Sequence, residues 1–434
     1  MKGVIALIIH VIKPGESIYA IGRLYGVAPT KIIADNELQD PSRLSIGQTL
    51  VILDGTVKHA VMPGQSVYDI ARMYRVSVQD ILNANPSIGT GERLTVGQVI
   101  NVPTARSTKL GTIDVNGYAF PNIDMEVLRK TLPSLTYLSI FSYEVNEDGT
   151  FRAVNDEPLI RAARAARVAP LLVISNIKQG GSFDSDLARA ILRNEQVQDK
   201  LLDSLIQTLR SKNYHGLDVD FEYIYPADRE YYNNFLRKAA RRLRAEGFTL
   251  TTALAPKTAA EQKGLLYEAH DYPVHGALVD HVILMTYEWG YTFGPAMAVS
   301  PINEVRKVLN YAVTAIPRQK ILMGMPNYGY DWTQPFVRGS RAVTLSNPGA
   351  VDLAAKVKAA IQYNVQSQAP FFIYYDTNRK RHEVWFEDAR STAAKLRLVN
   401  EYGLGGVSYW TIGRYFPQNW LVLNAMYDVR KVLP

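Results

Sequence analysis

The octapeptide Gly216-Leu217-Asp218-Val219-Asp220-Phe221-Glu222-Tyr223 decides how this chain is read. A strand turns over every two residues, so Asp218, Asp220 and Glu222 project to one side while Leu217, Val219 and Phe221 project to the other. The apolar side needs a packed layer behind it. Three acidic groups in a row are costly to bury unpaired, and their repulsion raises at least one of their pKa values. An ordinary solvent-facing edge strand would carry such acids without cost, but the apolar runs on either side in sequence are continuously hydrophobic, as in a sheet buried on both faces. The carboxylates therefore belong inside the fold, where a function has to account for them.

Working outward, strand-like runs recur at 112–118, 135–143, 170–175, 216–222, 249–255, 280–287, 320–326 and 405–410, eight in all. The segments between them, such as Asp186 to Lys212 and Arg229 to Glu246, carry helical periodicity and enough length for right-handed crossovers. Eight such units over residues 112–434 predict an α/β fold, a (β/α)₈ TIM barrel, with Glu222 at the strand end where barrel active sites form. A doubly wound sheet is the alternative, but it gives no reason for eight strands. The seventh connection is too long for one crossover. It contains a hairpin pattern, Phe371 to Tyr375 and Glu383 to Phe386 around Thr377-Asn378-Arg379-Lys380, so a small α+β insertion is expected at about 331–386.

The first hundred residues repeat themselves at an offset of 49, pairing His10 with His59, Pro14-Gly15 with Pro63-Gly64, Ser17 with Ser66, Tyr25 with Tyr74 and Asn36 with Asn85. Each copy reads as strand, Pro-Gly turn, Ser-capped helix, second short helix and closing strand, which gives two βααβ modules at 9–53 and 58–103. Residues 104–111 read as a polar linker, so the barrel is expected to fold without the modules.

Composition removes other chemistries. The 434 residues include no cysteine, which excludes thiolate catalysis, disulfides and Cys-based metal sites. A net charge of +7 is spread along the chain, without the arm expected of a nucleic-acid binder. The apolar run Gly3 to Ile9 is too short to span a membrane and no cleavage site follows it, so neither membrane insertion nor an ordinary signal peptide is expected. Serine-hydrolase, zincin and P-loop motifs are absent, and the seven histidines do not pair at metal spacings. No metal and no cofactor are expected.

The repeated PGESIYAIGRLYGV and PGQSVYDIARMYRV, with LSIGQTLVI and LTVGQVINVP, resemble the LysM family. That resemblance implies binding of the GlcNAc units of peptidoglycan or chitin. It places the groove at Gly15, Ser17, Ile18, Arg43 and Leu44 in the first module and at Gly64, Ser66, Val67, Arg93 and Leu94 in the second.

The barrel resembles glycoside hydrolase family 18, whose strand-four motif D-G-x-D-x-D-x-E appears here as H-G-L-D-V-D-F-E, with His215 in the first position. Met285-Thr286-Tyr287-Glu288 resembles its M-x-Y-D, with Glu288 for Asp, and Ser408-Tyr409-Trp410 resembles its terminal tryptophan strand. The usual strand-three Ser-x-Gly-Gly is replaced by Ile174-Ser175-Asn176-Ile177. The resemblance implies catalysis by Glu222, Asp220, Asp218 and Tyr287, with Trp410, Met285, Glu288, Asn327, Tyr328 and Tyr118 around the sugar.

Tandem LysM modules with strand ends SNI, DVDFEY and MTYEWG are most similar to the spore peptidoglycan glycosidases of endospore-forming bacteria. This implies an N-acetylglucosaminidase of the spore cortex, located in the spore's outer layers. A chitinase, or a non-catalytic glycan-binding protein on the same barrel, is the alternative.

Overall fold

The computed structural model describes residues 7–53, 56–74, 76–89, 94–103, 109–178 and 181–434. The acidic strand, Gly216–Asp220, pairs in parallel with Ala169–Ser175 on one side and Thr249–Leu254 on the other. Parallel pairing continues from Thr249–Leu254 through His281–Leu284 and Ile321–Pro326 to Gly406–Trp410. On the other side it runs through Tyr137–Val145 to Thr112–Ala119, which also pairs with Gly406–Trp410. Eight strands thus close a barrel among the described residues, and each arises from one of the eight apolar runs. They are called strands one to eight in chain order.

Two strands are shorter than their sequence pattern. Strand four stops at Asp220 because its last partner is Ser175, and the chain turns at Tyr223 with φ +53°. Strand six stops at Leu284 because the amides of Thr286 and Tyr287 turn back onto the carbonyls of Leu284 and Met285, both at 2.8 Å. Gly324 of strand seven lets this bend come close, since a Cβ there would meet the Leu284 oxygen at 2.5 Å and the Tyr287 ring at 2.8 Å.

Amphipathic helices cover the sheet. Glu195–Ser211, capped by the Asn194 side chain, buries Leu201, Leu202, Leu205 and Leu209. Inside the barrel, Tyr118, Phe141, Val173, Ala253, Ile283 and Leu322 form a separate cluster under Met285 and Trp410. The insertion is an antiparallel sheet of Gly329–Gln334, Val343–Leu345, Gln362–Asn364, Ala369–Tyr375 and Arg381–Trp385 with the helix Asn347–Val357. The C-terminal tail closes the opposite end of the barrel: Asp428–Val429 pairs beside strand one, and Val432 and Leu433 pack on Tyr137, Ala169 and Leu171.

The N-terminal modules are the expected βααβ units. Leu7–Val11 pairs with Thr49–Leu53 around the helices Ile18–Tyr25 and Pro29–Asp35, and Thr56–Ala60 pairs with Val99–Pro103 around Val67–Tyr74 and Val78–Ala84. In the first copy His10 lies between the Tyr25 hydroxyl (3.0 Å) and Glu16 (2.9 Å); in the second, His59 lies between Tyr74 (3.1 Å) and Gln65 (2.8 Å).

The structure corrects the expectation that the barrel is independent of both modules. Val51 of the first module is fully buried in the barrel's own apolar core. The Thr49 hydroxyl donates to the Gln418 side-chain oxygen (2.7 Å), and the Gln418 amide donates back to the Thr49 carbonyl (2.7 Å). Gly47 approaches the insertion so closely that a Cβ would lie 1.8 Å from the Ile361 carbonyl oxygen. The first module is therefore fused to barrel and insertion, whereas the second meets the first at the Thr56 hydroxyl, which donates to the Tyr25 carbonyl (3.1 Å).

Candidate active site

The C-terminal mouth of the barrel opens into a cavity of about 500 Å³ whose lining includes Asp220, Glu222, Tyr287, Glu288, Met285 and Trp410. Asp218 is fully buried beneath it. Its Oδ2 accepts from the Tyr118 hydroxyl of strand one (2.7 Å) and the Ser139 hydroxyl of strand two (3.0 Å). Oδ1 of Asp218 and Oδ1 of Asp220 have no hydrogen-bond partner among the described residues.

This unmatched burial sets the electrostatics. Desolvation raises the Asp218 pKa to about 6, against the lowering effect of the Tyr118 and Ser139 hydrogen bonds. Desolvation, then the charges of Glu222 and Asp218, hold Asp220 well above the usual carboxylate range. Desolvation, then the neighbouring Glu288 charge, pushes Glu222 up to about 8. The cavity thus presents protonated acid at neutral pH, with no Lys, Arg or His among its lining residues.

The loop carrying Glu222 is held from behind. The Phe221 carbonyl lies 3.0 Å from Nε2 of His270, whose Nδ1 accepts the Ala255 amide (2.9 Å), fixing His270 as a neutral donor through Nε2. Burial drives the pKa of that imidazole down to about 4. Ser185 donates to the Tyr223 carbonyl, and the Asn176 side chain bonds both backbone groups of Glu222.

Aromatic rings shape the rest. Trp410 stands at the end of strand eight, edge-on to Phe141 with centroids 4.9 Å apart. Trp410 and Glu288 also line a second hollow of about 440 Å³ that includes Phe120, Tyr328, Tyr330 and Arg414. Glu288 Oε1 accepts from Tyr328 and from Tyr330, the latter at 2.9 Å. Burial raises the pKa of Glu288 and these two hydrogen bonds oppose the rise.

Of the ten barrel residues singled out from sequence, Glu222, Asp220, Tyr287, Met285, Glu288, Trp410, Tyr118 and Tyr328 line the two hollows, and Asp218 lies beneath. Asn327 does not reach the cleft. It is 1% exposed, and its amide donates to the carbonyls of Thr411 (3.3 Å) and Arg414 (2.5 Å), so it braces the loop after Trp410. His215 lies at the far end of the barrel beside the Tyr137 ring, at 6.2 Å, and burial lowers its pKa. A neutral ring thus packs where the sequence pattern has an acid.

In the modules, Gly15 and Gly64 form exposed turns with φ near +80° and open space around them. Ser17 caps its helix by accepting from the Ala20 amide, Ser66 accepts from the Asp69 amide, and Arg43 is exposed beside Asp40. Ile18 is corrected: it is 2% exposed and belongs to the module core, because the helix turns its apolar stripe inward. Leu44, Val67 and Leu94 pack partly against the same cores, and Arg93 lies outside the described residues.

Sequence reasoning did not find Ser139, His270 or Tyr330 as site-forming residues. Tyr330 repeats Tyr328 at strand spacing and could have been found that way. Ser139 and His270 carry no local pattern, because their partners lie 79 and 49 residues away.

Residues 127–414 match glycosyl hydrolases family 18, and residues 10–53 and 59–103 match the LysM domain. The chain belongs to glycosyl hydrolase family 18. Over 98% of its length it is 41% identical to the cortical fragment-lytic enzyme of Bacillus subtilis (strain 168), covering 99% of that protein. The crystal structure of the Bacillus megaterium QM B1551 spore cortex-lytic enzyme SleL superposes with a TM-score of 0.90 at 41% identity, covering 98% of this chain and 99% of that one. A chitinase from Chromobacterium violaceum ATCC 12472 matches at 25% identity and TM-score 0.68, over 73% of this chain and 99% of that chain. This family 18 chain is a glycoside hydrolase acting on cell-wall glycan, and its LysM modules bind glycans built from GlcNAc.

Proposed function

We propose that the enzyme is an N-acetylglucosaminidase that cleaves GlcNAc bonds in spore-cortex peptidoglycan, using the substrate's own 2-acetamido group as nucleophile. The observation that carries this reading is the row Asp218, Asp220 and Glu222, its first two members buried and Glu222 half-buried where it reaches the cavity, with a pKa of about 8. Family 18 departs from the two-carboxylate glycosidase scheme in this way.

Glu222, protonated at neutral pH, gives its proton to the glycosidic oxygen. Asp220 orients the acetamide and stabilises the positive oxazolinium ring, while Asp218 shares a proton with it from below. The Tyr287 hydroxyl aligns the acetamide carbonyl under C1, and Trp410 forms the floor. Water then enters from the side vacated by the leaving group, activated by the Glu222 carboxylate, and the configuration at C1 is retained. Met285, Glu288 and Tyr328 shape the sugar pocket. Tyr118 acts through Asp218, and Asn327 acts through the loop it braces.

The substrate is restricted by the nucleophile. Muramic δ-lactam ties its amide into a ring that cannot swing under C1, so GlcNAc occupies the reacting position. The names of the cortex-lytic relatives support the spore cortex as the source of this glycan, and the spore's outer layers are the location we propose. The exposed turns at Gly15 and Gly64, with Arg43, serve as the glycan-holding edges of the modules.

Mass spectrometry of digests of purified cortex fragments tests the assignment. GlcNAc is expected at each new reducing end. Muramic acid there would overturn it, and equal turnover of chitin oligosaccharides would move the reading to a chitinase.

A further inference from the structure

Glu222 lies beyond the last residue of strand four, so its peptide N–H and C=O have no strand to pair with. The final ladder pair between strands three and four is Ser175 with Asp220. Asn176, the next residue after strand three, continues the ladder with its side chain. Its Oδ1 accepts the Glu222 amide (2.9 Å) and its Nδ2 donates to the Glu222 carbonyl (2.8 Å). The second proton of Nδ2 goes to the Asp184 carbonyl (3.0 Å), whose own amide donates to the Asn176 carbonyl (2.8 Å). Asn176 is fully buried, so water does not compete for these bonds.

The turn needs this support. Tyr223 adopts φ +53°, a left-handed conformation that costs a non-glycine residue about 1 kcal/mol. Without these bonds the chain stays tied on either side, at the Phe221 carbonyl by His270 and at the Tyr223 carbonyl by Ser185, but the peptide groups of Glu222 itself are released to shift and carry the carboxyl with them. A buried amide bonding both backbone groups of one residue fixes its Cα more tightly than either bond alone.

We propose that Asn176 is a positioning residue for the reaction: its side-chain amide holds the backbone of Glu222 so that the carboxyl stays aligned with the glycosidic oxygen. This rests on the reading of Glu222 as the general acid. A misplacement near 1 Å lowers turnover by about a hundredfold without removing any group that touches substrate.

The test uses leaving groups of different basicity. A sugar leaving group needs the proton, whereas 4-nitrophenolate leaves with little help, so a displaced acid slows the first far more than the second. In the full-length protein, Asn176→Ala is expected to lower kcat/KM, which reports departure of the leaving group and not the later activation of water by the same carboxylate, by about 10- to 100-fold on a GlcNAc oligosaccharide and by less than about threefold on the corresponding 4-nitrophenyl glycoside, with oligosaccharide binding little changed. Equal loss on both substrates would overturn the proposal, since general loosening of the fold makes no such distinction.

Asn176→Asp, of the same size, serves if the alanine variant does not fold. The same asymmetry is expected, and a uniform loss or unchanged activity overturns the proposal. Glu222→Gln run beside them separates the two ideas. It must show the same asymmetry more strongly; if it does not, the general-acid reading fails by itself, whereas asymmetry in Glu222→Gln alone defeats only the role of Asn176.

Discussion

Glu222→Gln should make the enzyme at once inactive and more stable. Burial and the Glu288 charge lift the Glu222 pKa from 4.5 to about 8 in the folded protein. A carboxyl with a raised folded pKa leaves stability intact below the unfolded value and erodes it as pH climbs through the folded value. At pH 7 the folded state must keep a proton that the unfolded chain releases, and 2.5 units at 1.36 kcal/mol each give roughly 3 kcal/mol of destabilisation. Water in the open cleft and the coupling to Asp220 reduce this to about 1–2 kcal/mol. Glutamine has the same shape and no proton to lose, so thermal unfolding should shift upward by about 1–2 °C at pH 7 and not at pH 4. Turnover should fall by about 10² to 10⁴ while oligosaccharide still binds. A variant no more stable than the parent at pH 7, or equally stabilised at pH 4, would refute desolvation as the source of the raised pKa. Near-normal turnover would remove Glu222 from the reaction.

The pH dependence of kcat should be a bell, rising as Asp218 loses its proton through about 6 and falling as Glu222 loses its proton through about 8, with each limb belonging to the coupled set. A flat profile from pH 5 to 9 would defeat it. Gln418→Ala leaves both Thr49 groups buried without their partner and should cost about 1–3 kcal/mol, measured by denaturant unfolding. Separate calorimetric transitions for the first module and barrel in the parent protein would contradict their fusion. A substrate whose 2-acetamido group is replaced by hydroxyl should bind without reacting, and rapid NMR should show the β anomer first with the natural group. Cleavage of the hydroxyl substrate, or an initial α anomer, would rule out the acetamide as nucleophile.

The barrel was legible because each strand is buried on both faces, and such strands announce themselves as short apolar runs such as Leu171 to Ile174. The acids were legible for the opposite reason: Asp218 and Asp220 break that rule inside one run. What escaped the sequence depends on contacts between distant segments. Val51 looks like any closing-strand valine of its module, and the helices Ala389–Tyr402 and Pro417–Met426 packed on its strand make it part of the barrel core. Asn327 follows strand seven, as a sugar ligand would, yet its amide is consumed by the carbonyls of Thr411 and Arg414. Asn176 stood out as a departure from a family pattern. Its partner was invisible because the pairing is between a side chain and a backbone that has just left its strand.

The bond between Thr49 and Gln418 spans 369 positions. At about 5–20 residues per second of synthesis, Thr49 emerges roughly 20 to 75 s before the glutamine that will cap it. During that interval the first module has its own core complete, with Ile18, Ile21, Ile32, Leu50 and Ile52 enclosed, but bares Val51 to the solvent. Strand one also waits for strand eight, over a shorter separation, Asp114 to Gly406. These distant segments are thus among the last parts to meet, and the first module keeps an apolar face uncovered until the helix Pro417–Met426 has been made.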